Sequence, residues 1–223
     1  MIGLMGNSFT MSEAMARFFC WIAVLIIGLG GASCRENAAS INKKAHKAFI
    51  SARTEEAARL YSKTLRLEPD NPQAHFYLGW IYRGQGKSEE AISEFKKAVA
   101  ANPAHALAYG NLGDLYLEKV MLVEAIDAYM RAVAINPESE NAYYGLGIAY
   151  EKQGDLTEAA KAFFEAGLLA VMTNNKDLAL NAYNHLKEAG NTQIAAELQG
   201  VLRPWFDPAN EVPAPPKGGR RQH

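Results

Sequence analysis

The sequence predicts an all-α chain in which antiparallel helix pairs stack one on the next as a solenoid. Three observations predict it. Leu78-Gly79 returns 34 residues later as Leu112-Gly113 and again as Leu146-Gly147, with Tyr82 returning as Tyr116 and Tyr150. At the same period Ala91, Phe95 and Ala98 return as Ala125, Tyr129 and Ala132, then as Ala159, Phe163 and Ala166. Pro69, Pro103 and Pro137 punctuate the chain once per unit. Self-similarity at a period of roughly 20–50 residues marks units that bury their apolar faces only by stacking.

Each unit reads as two helices. Leu78, Gly79 and Tyr82 share one face of a first helix, and Ala91, Phe95 and Ala98 share one face of a second. Glycine inside a helix costs about 1 kcal/mol relative to alanine. Three of them at fixed period therefore point to close approach between the two helices. Gly86 and Gly154 mark the turn between them, and Glu55-Glu56 and Glu89-Glu90 open second helices, where carboxylates suit the helix dipole. Asn102-Pro103 and Asn136-Pro137 end second helices, because proline lacks a donor and pushes its predecessor out of helical geometry.

The resulting order is an atypical first unit (35–71), three regular units (72–105, 106–139 and 140–173), a capping helix pair (174–203) and a tail (204–223). The first unit keeps Ala45, Ala57, Tyr61 and Pro69, but has Lys44 and Ala48 where the others have Leu and Tyr. Leu178, Leu180, Tyr183 and Leu186, then Ile194, Leu198 and Leu202, give the capping pair, with Gly190-Asn191 between its helices. A more polar outer face there would prevent end-to-end association. The tail is rich in proline, glycine and charge, a composition expected to be disordered.

Residues 1–34 read as an export signal. Arg17 precedes the apolar run Phe18 to Ile27, and small residues follow up to Cys34. The run is shorter than the roughly 20 residues of a membrane-spanning helix. Met1 and Met11 both serve as starts. Three outcomes stay open: lipidation at Cys34, cleavage after Ala32 or Ser33, and an uncleaved anchor. Arg35, Lys43, Lys44 and Lys47 follow the run, so an anchor would favour a cytoplasmic body. Gly31-Ala32-Ser33-Cys34 resembles the lipobox of bacterial lipoproteins, although Leu29 lies five residues before the cysteine where such sites carry leucine three before. That resemblance implies lipidation at Cys34, and Arg35 after it resembles the outer-membrane class.

Composition excludes several functions. Lys and Arg total 23 against 24 Asp and Glu, for a net charge of −1, so the basic stripe of a nucleic-acid binder is not expected. Cys20 and Cys34 are the only cysteines, and nothing has zinc-site spacing. No phosphate loop, nucleophile elbow or paired-histidine motif occurs, so no cofactor, metal or catalytic residue is expected. His75 and His105 read as structural or surface histidines without an obvious carboxylate partner.

The recurring Leu-Gly, Tyr, Ala, Phe/Tyr, Ala and Pro positions resemble the tetratricopeptide-repeat (TPR) family over most of the chain. The resemblance implies a right-handed superhelix whose first helices line a concave groove that holds another protein. The family's groove positions fall on Gln73, Phe76, Trp80, Arg83 and Gly84, on Leu107, Gly110, Asp114, Leu117 and Glu118, and on Asn141, Tyr144, Ile148, Glu151 and Lys152. Gly110 is expected to open space beside Phe76 and Tyr144, unless Phe76 or Trp80 packs as core. The clamp with which chaperone-binding members hold a carboxylate is broken: Phe76, Trp80 and Leu107 stand in it, although Asn111 matches. Val120, Met121 and Val123 in the middle turn form an apolar strip, read as a second contact patch or as a seat for Trp205-Phe206.

Together these readings give a protein-interaction scaffold of the bacterial cell envelope, exported and facing the periplasm from the outer membrane. The chain also resembles small bacterial TPR lipoproteins in architecture. Its rivals are a regulatory subunit anchored in the inner membrane and an enzyme with a site in the groove.

Overall fold

A computed structural model describes residues 37–206, with the side chains of 204–206 excepted. The expected signal segment, Cys34, the tail beyond residue 206 and any seating of Trp205-Phe206 side chains lie outside the described residues. Among the described residues, ten helices form five antiparallel pairs: α1 (Ala38–Ile50) and α2 (Thr54–Leu67), α3 (Pro72–Gly84) and α4 (Ser88–Ala101), α5 (Ala106–Glu118) and α6 (Leu122–Ile135), α7 (Glu140–Gln153) and α8 (Leu156–Met172), α9 (Lys176–Glu188) and α10 (Thr192–Phe206). There is no strand among the described residues.

Local chemistry sets the boundaries. Asn37, Asn71, Asp155 and Asn175 cap α1, α3, α8 and α9 by accepting a backbone N–H from three residues on. Before the prolines, Glu68, Asn102 and Asn136 leave helical geometry at φ near −130° (−133°, −136° and −127°). Where the next proline would fall, Val171 stands instead. α8 therefore runs on to 17 residues, against 14 for α4 and α6. That is the physical reason the repeat loses register towards α9. The last helix also extends to Phe206, past the boundary expected at residue 203.

The core is built from one large ring in each of the first four pairs. Tyr61, Phe95, Tyr129 and Phe163 recur at the same period and are fully buried. Rings from α4, α6 and α8 lie against Gly79, Gly113 and Gly147 of their partner helices, where an added Cβ would come within 2.8, 2.6 and 2.7 Å of ring carbons. Alanines at 91, 98, 125, 132, 159 and 166 fill the remaining interface without separating the helices.

The turns between paired helices also repeat. Ala52, Gly86, Val120 and Gly154 all adopt left-handed backbone, with φ of 56°, 73°, 59° and 92°. A β-branched residue there is strained. Val120→Gly is expected to stabilise the protein by about 1 kcal/mol, the relief of left-handed strain exceeding glycine's entropic cost. Urea unfolding checks this, and an unchanged or lower midpoint would refute it.

Candidate groove

The first helices α3, α5 and α7 stand side by side and enclose an open groove of about 420 Å³. Its walls include Trp80, Leu107, Leu117, Tyr144 and Ile148; Tyr129 and Ala132 reach it from α6, and Asn136 from the turn that follows. Trp80 is 46% exposed and Leu107 64%. A Cβ added at Gly110 would meet nothing within 4 Å, so this glycine leaves the groove open.

A polar cluster spans the seam between α3 and α5. Arg83 Nη1 donates to Asn111 Oδ1 at 2.9 Å and to Asp114 Oδ2 at 2.8 Å, while Nη2 reaches Glu118 Oε1 at 3.3 Å. Burial works against the Arg83 charge, but hydrogen bonding and attraction from Asp114 and Glu118 outweigh it and raise its pKa. The Tyr129 hydroxyl donates to the other Asp114 oxygen at 2.7 Å. Burial first, then the Asp114 charge, push the Tyr129 pKa up, so it stays a donor. Tyr129 passes between two glycines to get there: a Cβ at Gly113 or Gly145 would lie 2.6 or 2.4 Å from its ring. Tyr61 occupies the equivalent core point, yet its buried hydroxyl has no partner among the described residues. His46 stands there where α5 has Asp114.

The sequence-predicted residues divide accordingly. Trp80, Arg83, Gly110, Asp114, Leu117, Tyr144 and Ile148 all line the groove. Phe76 does not. It is 7% exposed, with Phe95 at 5.8 Å and His105 at 4.6 Å between ring centroids, and it belongs to the core. Glu151 lies off the groove wall, where the His185 Nδ1 lies 3.2 Å from its carboxylate. Tyr129 and Gly145 were missed because they sit in core registers. The available signal was a hydroxyl at 129 where 95 and 163 have Phe, together with an extra glycine at 145.

His75 also departs from expectation. Its Nδ1 is 2.6 Å from Glu94 Oε2 on α4 and its Nε2 is 2.7 Å from the Pro69 carbonyl oxygen. A nearly buried carboxylate partner exists, 19 residues away on the paired helix, and the role is structural. His105 accepts the Ala108 N–H at the start of α5, and burial lowers its pKa, which suits an acceptor.

Glu151, His185 and Tyr144 form a carboxylate–imidazole–hydroxyl chain, with 3.2 Å from the phenol oxygen to His185 Nε2. It joins α7 to α9, and burial and the Glu151 charge raise the Tyr144 pKa, so the hydroxyl stays protonated. The His185 ring stacks on Phe163 at 4.5 Å, tying the last pair to the fourth. Among the described residues no group of three His, Cys, Asp or Glu could hold a metal ion, and no helix is long and apolar enough to cross a membrane.

Val120 and Met121 in the middle turn and Val123 at the start of α6 are exposed. A second cleft, of about 380 Å³, lies between α6 and α8, with Met130, Tyr143, Leu146 and Tyr150 in its apolar lining.

The family model for the tetratricopeptide repeat matches residues 43–99, 80–140 and 124–179. A crystal structure of MamA protein is similar at 25% identity, covering 80% of this chain and 98% of that one, with a TM-score of 0.57. YrrB, titled a TPR protein with an unusual peptide-binding site, is similar in fold at 22% identity, covering 74% and 93%, with a TM-score of 0.55. The first TPR of Spaghetti bound to the HSP90 peptide SRMEEVD is similar at 25% identity, covering 53% and 94%, with a TM-score of 0.50. Among curated proteins nothing matches. The period of 34, the ring-on-glycine packing and a family match over more than half of its length agree: this chain belongs to the tetratricopeptide-repeat family, a fold of protein–protein interaction scaffolds.

Proposed function

We propose that this protein is a scaffold of the bacterial cell envelope that holds a segment of a partner protein in the groove of α3, α5 and α7. The observation that carries this reading is the half-exposed Trp80 beside the open space at Gly110. A rigid aromatic surface next to a preformed vacancy is how binding hot spots are built, since little order is lost on association. Relatives in fold are titled as peptide binders, which supports the same use here. Placement in the envelope rests on the sequence of residues 1–34, with the lipid at Cys34 and the body in the periplasm; mass spectrometry of the mature N-terminus tests it, and an unprocessed Met1 or Met11 would overturn it.

The groove is tested by crosslinking and recovery of partners from envelope fractions with the wild type, Trp80→Ala and Gly110→Leu. Both variants change exposed or open positions, so their melting temperatures are expected to stay within a few degrees. Loss of the same partners from both is expected. Identical partner sets in all three would remove the groove.

A further inference from the structure

The hydrogen-bonding state of the groove narrows what can occupy it. Arg83 is the cation at its centre, and that charge is answered by two carboxylates, leaving the cluster with one net negative charge. The carboxylates are also the more accessible members: the side chains of Asp114 and Glu118 are 42% and 56% exposed, against 30% for Arg83. Asp114 lines the groove, and Glu118, one turn on, stands just outside its wall and joins the cluster through Arg83. Three donors nearby already have acceptors. The Tyr129 hydroxyl is on Asp114, the Asn111 amide is on the Leu107 carbonyl, and Lys119 reaches Glu89 at 2.5 Å. Lys152, at the far end on α7, is exposed and lies outside the groove wall.

An anion entering at Asp114 would meet two carboxylates and a guanidinium already shared between them. A cation would meet oxygens with free lone pairs, in a groove that Trp80 also lines. Trp80 occupies in α3 the position that Asp114 occupies in α5, 34 residues on, and both line the groove. The open space at Gly110 lies one helical turn from Asp114, about 6 Å along α5. In an extended peptide that distance is about two residues.

We infer that the groove selects a partner segment in which a lysine or arginine lies one or two residues from an apolar anchor, the anchor entering over Gly110 and the cation lodging between Trp80 and the Asp114–Glu118 pair. This rests on the groove reading above and adds the partner's chemistry to it. It also separates this groove from that of the similar structure whose bound peptide ends in EEVD.

The test is selection of random twelve-residue peptides displayed on phage against the full chain, followed by affinity measurement on a synthetic lead peptide. Enriched sequences are expected to share an apolar residue with Lys or Arg one or two positions away. Affinity is expected to fall roughly tenfold in Asp114→Asn and severalfold in Glu118→Gln, and to weaken as salt rises. Glu165→Gln, outside the groove, should leave it unchanged; Glu118 is exposed enough that its variant folds whatever Asp114→Asn does. Enriched peptides that are acidic, or lack a cation, yet lose binding in Trp80→Ala would overturn the inference while leaving the groove standing. Failure to enrich any peptide, or binding indifferent to Trp80→Ala, would remove both. Enrichment only after deletion of residues 207–223, which carry Lys217, Arg220 and Arg221, would give the site to the chain's own tail and overturn the assignment to a partner.

Discussion

Gly145→Ala is expected to lower stability by about 2 kcal/mol, whereas Gly110→Ala, on the preceding first helix, is expected to raise it by up to about 1 kcal/mol. Both residues are glycines inside regular helices, so alanine gains about 1 kcal/mol of helix propensity at either site. The surroundings then decide the sign. At Gly110 the new methyl points into open groove. At Gly145 it would lie 2.4 Å from Tyr129 Cζ and 2.7 Å from its hydroxyl. The ring has little room to retreat, because Gly113 lies against the same Cε1 and Cζ atoms at a similar separation. Overpacking of this kind costs about 1–3 kcal/mol, and a ring held by two helices at once belongs at the upper end. Urea unfolding followed by circular dichroism gives both values; equal shifts would show that the ring does not pass between the two glycines as described.

The larger loss is expected for Tyr129→Ala, about 4 kcal/mol, since an almost fully buried aromatic leaves a cavity its neighbours cannot fill. Tyr129→Phe should cost no more than about 1 kcal/mol. Phenylalanine stands at the equivalent positions 95 and 163, and Asp114 keeps its bond to Arg83. The pair of variants separates two duties of one side chain. The ring supports the α5–α6–α7 junction, and the hydroxyl orients the Asp114 carboxylate at the groove. If phenylalanine proved as damaging as alanine, the hydroxyl and not the ring would be the structural element.

The repeat was legible in the sequence because it is written in residues with a single packing role. Leu-Gly pairs, the ring at 95, 129 and 163, and the terminal prolines specify helix ends and close approach wherever they occur. The groove was legible only in part. Trp80 and Gly110 announce themselves by type at an outward position, but Phe76 occupies an equivalent position and is covered by Phe95 and His105, a fact that depends on the turn preceding α5. Tyr129 shows the reverse case. Its register says core, and only the gap left by Gly113 and Gly145 carries its hydroxyl through to the other face. The His75–Glu94 pair was hidden because a helix hairpin brings together residues that the linear spacing of either helix leaves unrelated.

The valine that stands where the unit's closing proline would fall, and the longer α8 that results, give the stack a direction. Between α4 and α5, or between α6 and α7, the seam is a proline turn and consecutive units are interchangeable, so a duplicated 34-residue segment inserted there would enter in phase and lengthen the groove by one helix. After α8 the phase is lost: three further residues add about 4.5 Å and most of a helical turn, and a copy spliced beyond it would present its apolar face at the wrong angle. Growth by duplication is therefore open within the array and closed at its α9–α10 end.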